Sequence, residues 1–278
     1  MTTFEPEPSI LDRVSKIREQ VGRLILVNDS GSEKVKNLLN EWLLGTDKVS
    51  LIHNIENLGI AYSLNVGIQL AKKHDYKWLL TLDDDSRLND NFVTRLLQNQ
   101  EHAMLHYNVG LISLSREESR YPSAPRFEIK RGVITSGSLI DVNIYDLVGG
   151  FREELFIDLV DYEFCLRIRR LGYVVLKSSE FGMIHPVGSS TIHKILGLEF
   201  STYNHPPFRR YYISRNSIVL ARENLINDPA FSLVLLFDVF LTFIKVVLFE
   251  RDKAEKVSCM MKGVAHGLLS RMGRVTPP

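Results

Sequence analysis

The sequence predicts an α/β fold built on a doubly wound parallel sheet. Short apolar runs alternate with segments of helical periodicity through residues 1–115, which is typical of strands connected by helices. Polar residues directly follow the runs that end at Val27 and Leu82, and an open sheet of this type binds its ligands at the carboxyl ends of its strands. The 278 residues are 45% hydrophobic and 24% charged, which excludes a disordered or collagen-like chain.

The first part of the chain supplies four of the predicted strands. Apolar spacing predicts a helix over Ile10–Val21, after Pro8 and Ser9. The elements that follow are a strand at Leu24–Val27, a helix over Val35–Trp42, a strand at Val49–Ile52, a helix over Ile60–Lys73, a strand at Trp78–Leu82, a helix over Asn89–His106 and a strand at Val109–Leu114.

The rest of the chain begins with a polar segment, residues 116–132, which is predicted to be a surface loop. The elements after it are a strand at Gly132–Ile140, a helix over Asp161–Leu171, short strands at Tyr173–Leu176 and Gly182–Ile184, and helices over Phe208–Asn224, Ala230–Phe249 and Ala254–Ser270. A change of composition near residue 200 predicts a catalytic α/β domain (1–204) followed by a helical extension (205–278).

The net charge of +1 does not indicate a nucleic-acid partner. Residues 205–278 nevertheless carry a net charge of +5, against −4 for residues 1–204. A basic, apolar part suits contact with an anionic membrane surface, although a solvated basic helix face has the same composition. Met1–Ser9 lacks a signal-peptide pattern, and Cys165 and Cys259 form no CxxC pair, so we expect a cytoplasmic location.

One apolar run, Phe231–Phe249, approaches the length of a membrane-spanning helix. It contains Asp238 and Lys245, which lie seven residues apart and therefore on one side of a helix. Charges at the centre of a bilayer are costly. The run is therefore predicted to be a core-packed or membrane-surface helix.

Three consecutive aspartates, Asp83, Asp84 and Asp85, follow the predicted strand Trp78–Leu82. Side chains alternate along an extended chain, so Asp83 and Asp85 are predicted to hold a hard divalent cation that also binds phosphate oxygens. A polar loop that caps the next helix is the alternative. An EF-hand is excluded because Leu88 stands where that loop needs glycine. An aspartate-nucleophile phosphatase or phosphotransferase using Asp83 remains the second candidate class.

A second acidic segment, Phe156–Glu163, leads into the predicted helix Asp161–Leu171. Carboxylates are favourable at a helix N-terminus, so Asp161 is either a simple cap or a general base that takes a proton from an incoming hydroxyl. Asp158 lies three residues earlier, at the mouth of the same helix.

Two smaller features accompany the acidic segments. Thr135–Ser138 consists of small residues, which permit close approach of a ligand. His185 is a lone histidine that can complete a mixed oxygen and nitrogen metal site, although such a residue is more often structural. No dinucleotide-binding glycine motif and no P-loop sequence occurs.

These motifs follow one another in a recognisable order. They are Val27–Ser32, Asn57–Ala61 with Asn65–Gly67, Leu82–Ser86, Ser136–Ser138, Gly149–Phe151, Phe156–Glu163 with Cys165–Arg167, and His185. In this order they resemble glycosyltransferase family 2, and most closely its bacterial rhamnosyltransferase-like branch, over residues 3–222.

The resemblance implies a doubly wound nucleotide-diphospho-sugar transferase fold of the GT-A type. It implies an inverting transfer of a sugar, rhamnose from dTDP-rhamnose, to a cell-surface polysaccharide such as O-antigen or to a lipid-linked acceptor. It also implies a Mg²⁺ or Mn²⁺ cofactor and peripheral attachment at the inner face of the cell membrane. The implied site residues are Thr3, Asn28, Asp29, Asn57, Asn65, Asp83, Asp84 and Ser138 for the nucleotide and sugar, Asp83, Asp85 and His185 for the metal, Asp161 and Asp158 for catalysis, and Arg209 and Arg215 for an acceptor or lipid diphosphate.

The chain departs from the family pattern in two places. Asn28-Asp29 stands where the family usually has Asp-Asn or Asp-Asp, and Thr3–Pro6 is all that matches the end of the family's first strand. That strand is normally central, so its absence would leave neighbouring strands without hydrogen-bond partners. The chain is therefore expected to begin upstream of Met1 or to be a truncated copy, and a non-catalytic homologue is the third candidate.

Overall fold

The computed structural model describes residues 1–115, 126–184, 191–195 and 198–275. Its chain divides into two compact units. The first comprises Met1–Glu153 and Val160–Pro186, and the second comprises Glu154–Leu159 and Val187–Pro278. The division therefore lies upstream of the expected boundary at residues 204 and 205, and the short segment Glu154–Leu159 joins the second unit.

The first unit contains the sheet elements and six helices among the described residues. Its strands are β1 (Thr2–Thr3), β2 (Leu24–Asn28), β3 (Val49–His53), β4 (Trp78–Thr81), β5 (Arg87–Leu88), β6 (Val109–Ser115), β7 (Phe127–Lys130), β8 (Ser138–Asp141), β9 (Val174–Phe181) and β10 (Met183–Ile184). Its helices are α1 (Ile10–Arg18), α2 (Glu33–Trp42), α3 (Ile60–Lys73), α4 (Phe92–Met104), α5 (Val142–Val148) and α6 (Val160–Arg170). Between α5 and α6, a short 3-10 helix at Glu153–Leu155 begins with the last residue of the first unit before Glu154–Leu159.

The sheets of the first unit are mixed in direction. Strands β1, β2 and β3 form a parallel sheet, and a second sheet has the order β4-β8-β6-β9-β7. Within it β6 and β9 are parallel, whereas β8 runs antiparallel to β4 and β6, and β7 runs antiparallel to β9. Strands β5 and β10 form an antiparallel pair. The prediction of a parallel sheet is therefore right for β2 with β3 and for β6 with β9, and wrong for β8. Strands β1 and β7 were not predicted.

The direction of β8 follows from the turn that precedes it. Ser138 N donates to Thr135 O at 3.1 Å, and Gly137 has a left-handed φ of +79°. A Cβ at Gly137 would lie 2.2 Å from Sδ of Met183, so only glycine fits. The predicted strand Gly132–Ile140 is therefore wrong in its first half. The sequence prediction also missed α5, and it assigned β7 to the loop 116–132, of which residues 116–125 lie outside the described residues.

Strand β1 occupies only part of the space between β2 and β4. Thr2 and Thr3 pair with the end of β2, and Thr2 forms a bridge to Asp83 just beyond β4. Between the remaining lengths of β2 and β4 lies a cavity of about 330 Å³. Its lining is mainly apolar and includes Ile25, Leu64, Leu80, Leu97 and Leu139. The expected gap in the sheet is therefore present, although the ends of its two flanking strands remain connected.

The core of the first unit lies between α1, α4 and the strands β2 and β6. It contains fully buried Ile10, Leu26, Phe92, Leu96 and Ile112. In α1 the buried residues recur at helical spacing, as expected for an amphipathic helix that covers one face of a sheet.

The second unit is a helical assembly with a small antiparallel strand pair. Its elements are β11 (Thr191–Ile195), β12 (Leu198–Thr202), α7 (Pro207–Asn224), α8 (Pro229–Phe249) and α9 (Lys253–Leu268). The ends of these helices agree with the sequence prediction to within two residues, whereas the strand pair was not predicted. Helices α7 and α9 approach closely, since a Cβ at Gly263 would lie 2.4 Å from Tyr211 O and one at Gly267 would lie 2.8 Å from Arg215 O.

Candidate active site

The ends of β2 and β4 meet through Thr3. The carbonyl oxygen of Thr3 accepts from Asp29 N at 2.9 Å, and its hydroxyl donates to Asp84 Oδ2 at 2.5 Å. Thr2 bridges to Asp83 in the same stretch. These bonds place the polar residues that follow β2 and β4 at one edge of the sheet, where a ligand of an open α/β sheet binds.

The acidic loop after β4 is fixed by a pair of buried serines. Asp83 N donates to Ser136 Oγ at 3.1 Å, and Ser136 Oγ lies 2.6 Å from Ser86 Oγ. Ser136 belongs to the small-residue segment Thr135–Ser138, which the sequence predicts to permit close approach of a ligand. Ser138 was expected beside the sugar, and the structure corrects this: its side chain is fully buried and its hydroxyl donates to Ile134 O at 2.6 Å.

The three aspartates have different surroundings. Burial raises the pKa of Asp84, the charge of Asp85 raises it further, and the hydrogen bond from Thr3 opposes both. Asp84 is thus turned toward Thr3, which leaves Asp83 and Asp85 as the pair of carboxylates suited to a divalent cation. All three side chains are half-buried. Hard carboxylate oxygens are the ligands that Mg²⁺ and Mn²⁺ accept, so this donor set fits such an ion.

Two carboxylates do not complete a metal site. In the described ranges, no three His, Cys, Asp or Glu side chains are grouped so that they could hold a metal ion. His185, the expected third ligand, lies outside the described residues. Oxygens of a bound phosphate and water would have to supply the remaining ligands, as is usual for Mg²⁺.

Asp29 holds the loop that precedes α3. Its Oδ1 accepts from Asn54 Nδ2 at 2.7 Å and from Leu58 N at 2.9 Å, and its Oδ2 accepts from Gly59 N at 2.8 Å. The carboxylate is buried and shapes the loop that carries Asn57, which is half-buried. Asn28 Nδ2 lies 3.1 Å from His53 Nδ1. Asn28, Asp29 and Asn57 therefore lie close together at the end of β2 and in the loop before α3.

Asn65 has a structural role, which corrects its assignment to the nucleotide pocket. Its Nδ2 donates to Phe151 O and to Glu153 Oε1, each at 2.8 Å. Its Oδ1 accepts from Phe151 N and from Tyr145 OH, again at 2.8 Å. Both donors and both acceptor positions of the amide are used, so the side chain has no bond left to offer a nucleotide.

Asp161 lies in the first turn of α6 and is half-buried. Its Oδ1 accepts from Tyr162 N at 2.9 Å, so the carboxylate meets the positive end of the helix. Further along α6, Arg167 binds Glu163 through two bonds of 2.8 and 2.7 Å and donates to the carbonyl oxygens of Val148 and Gly150. This arrangement fixes α6 against the chain that follows α5.

Asp158 lies in the second unit, on a segment of strained backbone. Phe156, Asp158 and Leu159 have left-handed φ values of +66°, +64° and +62°, which are unfavourable for residues other than glycine. The carboxylate of Asp158 forms an ion pair with Arg209. Asn216 Nδ2 lies within 3.1 Å of the carbonyl oxygens of Leu155, Ile157 and Asp158.

Arg215 is corrected from a lipid-phosphate ligand to a buried structural residue. Its exposed fraction is 0%. Nη2 donates to the carbonyl oxygens of Glu154 and Leu155 at 3.0 and 2.9 Å, and Nη1 donates to Gly273 O at 2.5 Å. The guanidinium also lies 4.8 Å from the ring centre of Tyr212. A buried guanidinium with these partners is inaccessible to a phosphate group.

Comparison with known proteins identifies related chains. A family model described as glycosyl transferase family 2 matches residues 1–153. The dTDP-rhamnosyl transferase RfbF of Shigella flexneri is 28% identical over 286 residues, which covers 95% of this chain and 91% of the relative.

Solved structures share the fold. A mannosyltransferase, PcManGT from Pyrobaculum calidifontis, solved with GDP-Man and Mn²⁺, has a TM-score of 0.57 and 13% identity, with 99% of this chain and 74% of that chain covered. TarS of S. aureus, residues 1–349, has a TM-score of 0.59 and 12% identity, with 97% and 80% covered. The fold is therefore of the GT-A glycosyltransferase type, as the resemblance implied.

Proposed function

The chain belongs to glycosyl transferase family 2, and we propose that it transfers a rhamnosyl group from dTDP-rhamnose to a saccharide or lipid-linked acceptor. The observation that carries the choice of sugar is the relative RfbF, a dTDP-rhamnosyl transferase, whose similarity extends over 95% of this chain. The geometry supports the reaction class, because two half-buried carboxylates, Asp83 and Asp85, follow β4 at the end of the sheet where an open α/β sheet binds its ligand. The family assignment favours this class over an aspartate-nucleophile phosphatase.

The donor is proposed to lie along the edge formed by β2 and β4. Asn57 would line the nucleotide pocket, and the buried Asn28 and Asp29 would shape it through their hydrogen bonds. Thr3 donates to Asp84 at the same edge of the sheet. Asp83 and Asp85 would hold Mg²⁺ or Mn²⁺ beside the diphosphate. Such a cation stabilises the negative charge that develops on a departing diphosphate.

Asp161 is proposed to be the general base. An acceptor hydroxyl is a poor nucleophile until a carboxylate takes its proton. Tyr162 N donates to Oδ1 of Asp161, which holds the carboxylate at the N-terminus of α6. One displacement, with the base and the leaving group on opposite faces of the sugar, inverts the anomeric centre. Asp158 is proposed to contact the sugar, and Arg209 orients its carboxylate.

The proposed setting is the inner face of the cytoplasmic membrane, where a saccharide such as O-antigen is extended on a lipid carrier. Arg209 remains the candidate for contact with an acceptor phosphate, since its side chain is 34% exposed. The protein is proposed to attach there as a peripheral protein.

A donor panel tests the function. Purified protein with Mn²⁺ or Mg²⁺ is incubated with dTDP-rhamnose, GDP-mannose and UDP-glucose, and release of the nucleoside diphosphate is measured with and without a saccharide acceptor. Release from dTDP-rhamnose alone is expected. Equal release from all three donors, or none from any, would contradict the proposed substrate.

Two variants separate binding from turnover. Asp161→Asn is expected to lower turnover by about 10²–10⁴-fold with donor affinity unchanged, because only the proton acceptor is lost. Asp85→Ala is expected to weaken both Mn²⁺ binding and turnover. Asp141→Asn, which alters a helix cap away from this edge, is the matched control. Full activity of Asp161→Asn would exclude its role as base.

A further inference from the structure

His53 ends strand β3 beside Asn28, the last residue of β2. The two strands are parallel, so both residues lie at the edge where an open α/β sheet binds its ligand. The ring of His53 is half-buried and forms two side-chain hydrogen bonds. The proposed reaction gives this titratable group no role.

The hydrogen bonds of Asn28 determine which ring nitrogen of His53 carries the hydrogen. Asn28 Oδ1 accepts from Ser30 N at 3.1 Å, so its Nδ2, which can only donate, faces His53 Nδ1 at 3.1 Å. Nδ1 is therefore the accepting nitrogen without a hydrogen. Nε2 then carries the hydrogen and donates to Asn40 Oδ1 at 3.2 Å. The neutral ring satisfies both partners, whereas a cationic ring would place one donor against another at Asn28.

Asn28 holds the turn that follows β2. Its side chain is buried, and its bond from Ser30 N spans the turn. Gly31 has a left-handed φ of +64°, and a Cβ at this position would lie 2.5 Å from Cα of Glu56. The turn therefore packs against the loop before α3, which carries Asn57, the residue proposed to line the nucleotide pocket.

The surroundings of the ring favour its neutral form. Burial lowers the pKa of His53, the charge of Lys36 lowers it further, and Glu33 acts in the opposite direction. Both charged residues lie on α2 and form an ion pair of 3.1 Å, whereas β2 contributes the uncharged Asn28. A free imidazole takes up its proton near pH 6.5, so His53 becomes charged only at a lower pH.

Rotation of the Asn28 amide cannot accommodate this proton. A half-turn would present Oδ1 to a protonated Nδ1, but it would also place Nδ2 opposite Ser30 N, and both of these groups are donors. One of the two bonds of Asn28 is therefore lost in either orientation. A buried amide with an unpaired group is costly, so the turn is expected to loosen.

We propose that His53 is a positioning residue of the nucleotide pocket: its neutral ring holds Asn28 and the turn Asp29–Gly31, and uptake of a proton at Nδ1 releases that turn and weakens the binding of dTDP. The proton comes from solvent and occupies the lone pair that accepts the bond from Asn28. This inference rests on the proposed function, because dTDP is the nucleotide of the proposed donor. A purely structural role for His53 would change the stability of the protein and leave its affinity for dTDP unaltered.

Calorimetric titration with dTDP and Mg²⁺ between pH 8 and pH 5 tests the proposal. Wild-type affinity is expected to fall with acid, and His53→Asn is expected to lose about 10-fold less of its affinity over this range. The amide oxygen of the variant stands near the position of Nδ1, where it accepts from Asn28 but takes up no proton. The pH dependence of dTDP and of the cation is common to both proteins, so the difference between their profiles belongs to His53.

His53→Leu removes the acceptor at every pH. Its affinity for dTDP at pH 8 is expected to be about 10-fold below that of wild type, whereas His53→Asn should restore most of that affinity. His74→Asn is the matched control: His74 is an exposed histidine at the end of α3, and the variant should keep the wild-type profile. A wild-type profile in His53→Asn would overturn the proposal, as would wild-type affinity at pH 8 in His53→Leu.

NMR of the nitrogen-labelled protein follows the turn without a nucleotide. The amide signal of Ser30 is expected to shift as His53 takes up its proton, and this shift should be absent from His53→Asn. A Ser30 signal with the same pH dependence in both proteins would overturn the link between His53 and the turn. Absence of dTDP binding in all four proteins would instead contradict the proposed donor, so the two failures are distinguishable.

Discussion

The two acidic segments, one in each unit, are held in opposite ways. Asp83–Ser86 has an ordinary backbone, and the side chains of Thr3 and Ser136 bond to it. Phe156–Leu159 has three left-handed residues in four, and the side chain of Asn216 in α7 donates to the carbonyl oxygens of Ile157 and Asp158. The position of Asp83–Ser86 depends on the strands that bring Thr3 and Ser136 next to it. The second depends on a helix more than 50 residues further along, so substitutions in α7 are expected to act on it at a distance.

The largest expected effect comes from Arg215. Arg215→Met leaves the carbonyl oxygens of Glu154, Leu155 and Gly273 without this donor, so the free energy of unfolding is expected to fall by about 3–5 kcal/mol. Urea unfolding measures it. Arg222→Met is the control on the same helix. Arg222 is an exposed residue of α7 whose Nη1 donates to Gly267 O and Leu268 O at the end of α9, and its removal is expected to cost less than about 1 kcal/mol. Equal losses of unfolding free energy in the two variants would show that the bonds from Arg215 to Glu154 O and Leu155 O do not hold the segment Glu154–Leu159.

Substitutions of Asn65 and Asn57 distinguish a structural asparagine from a proposed nucleotide-binding asparagine in the first unit. Asn65→Ala breaks four bonds to Tyr145, Phe151 and Glu153, and is expected to lower the free energy of unfolding by about 2–3 kcal/mol with nucleotide affinity unchanged. Asn57→Ala is expected to do the reverse. The free energy of unfolding of Asn57→Ala should change little, because only one bond, from Gly59 N, is lost. Its affinity for dTDP is expected to fall by about 10-fold. Calorimetric titration with dTDP, combined with thermal unfolding, distinguishes the two. A loss of affinity in Asn65→Ala would restore its place in the pocket.

Acid is expected to weaken the second unit, which holds Asp158. Burial, and then the charges of Arg209 and Arg210, lower the pKa of His205 to about 4, whereas Asp158 and Glu250 act in the opposite direction. The unfolded chain takes up this proton near pH 6.5 and the folded chain only near pH 4. The free energy of unfolding should therefore fall as the pH drops from about 6.5 to about 4, by about 2 kcal/mol.

His205→Gln removes this part of the pH dependence. Urea unfolding at a series of pH values is expected to show a flatter profile for the variant than for wild type. His102→Gln, which alters an exposed histidine of the first unit, should keep the wild-type slope. Identical slopes for all three proteins would rule out His205 as the source.

The smallest expected effect is at Thr3. Thr3→Val removes the hydrogen bond to Asp84 without a large change of volume, and is expected to cost about 1 kcal/mol of unfolding free energy. Because that bond lowers the pKa of Asp84, the pKa should rise further in the variant. Carbon NMR of the labelled carboxyl group measures it. An unchanged pKa would mean that Thr3 does not hold the carboxylate. Ser9→Ala, in the exposed turn before α1, is the control.

Much of the fold could be predicted because it is local. Helix α3 agrees with its prediction at both ends, and α7, α8 and α9 agree to within two residues. Their apolar spacing and their glycine, proline and aspartate boundaries lie in the segments themselves. The position of Asp83 at a strand end was predictable for the same reason. The reversal of β8 was not, because it depends on Gly137 fitting under Met183, a contact between residues far apart in the chain.

The residue patterns by themselves established the α/β class, the acidic edge after β4 and the family resemblance, because periodicity and motif order are properties of neighbouring residues. The roles of Asn65, Ser138 and Arg215 became clear only in the folded chain. Each is a polar residue that forms at least one hydrogen bond to a backbone group, and for Asn65 and Arg215 those groups are distant in sequence. A polar side chain is available to a ligand only when folding leaves its donors and acceptors unused, and that depends on packing.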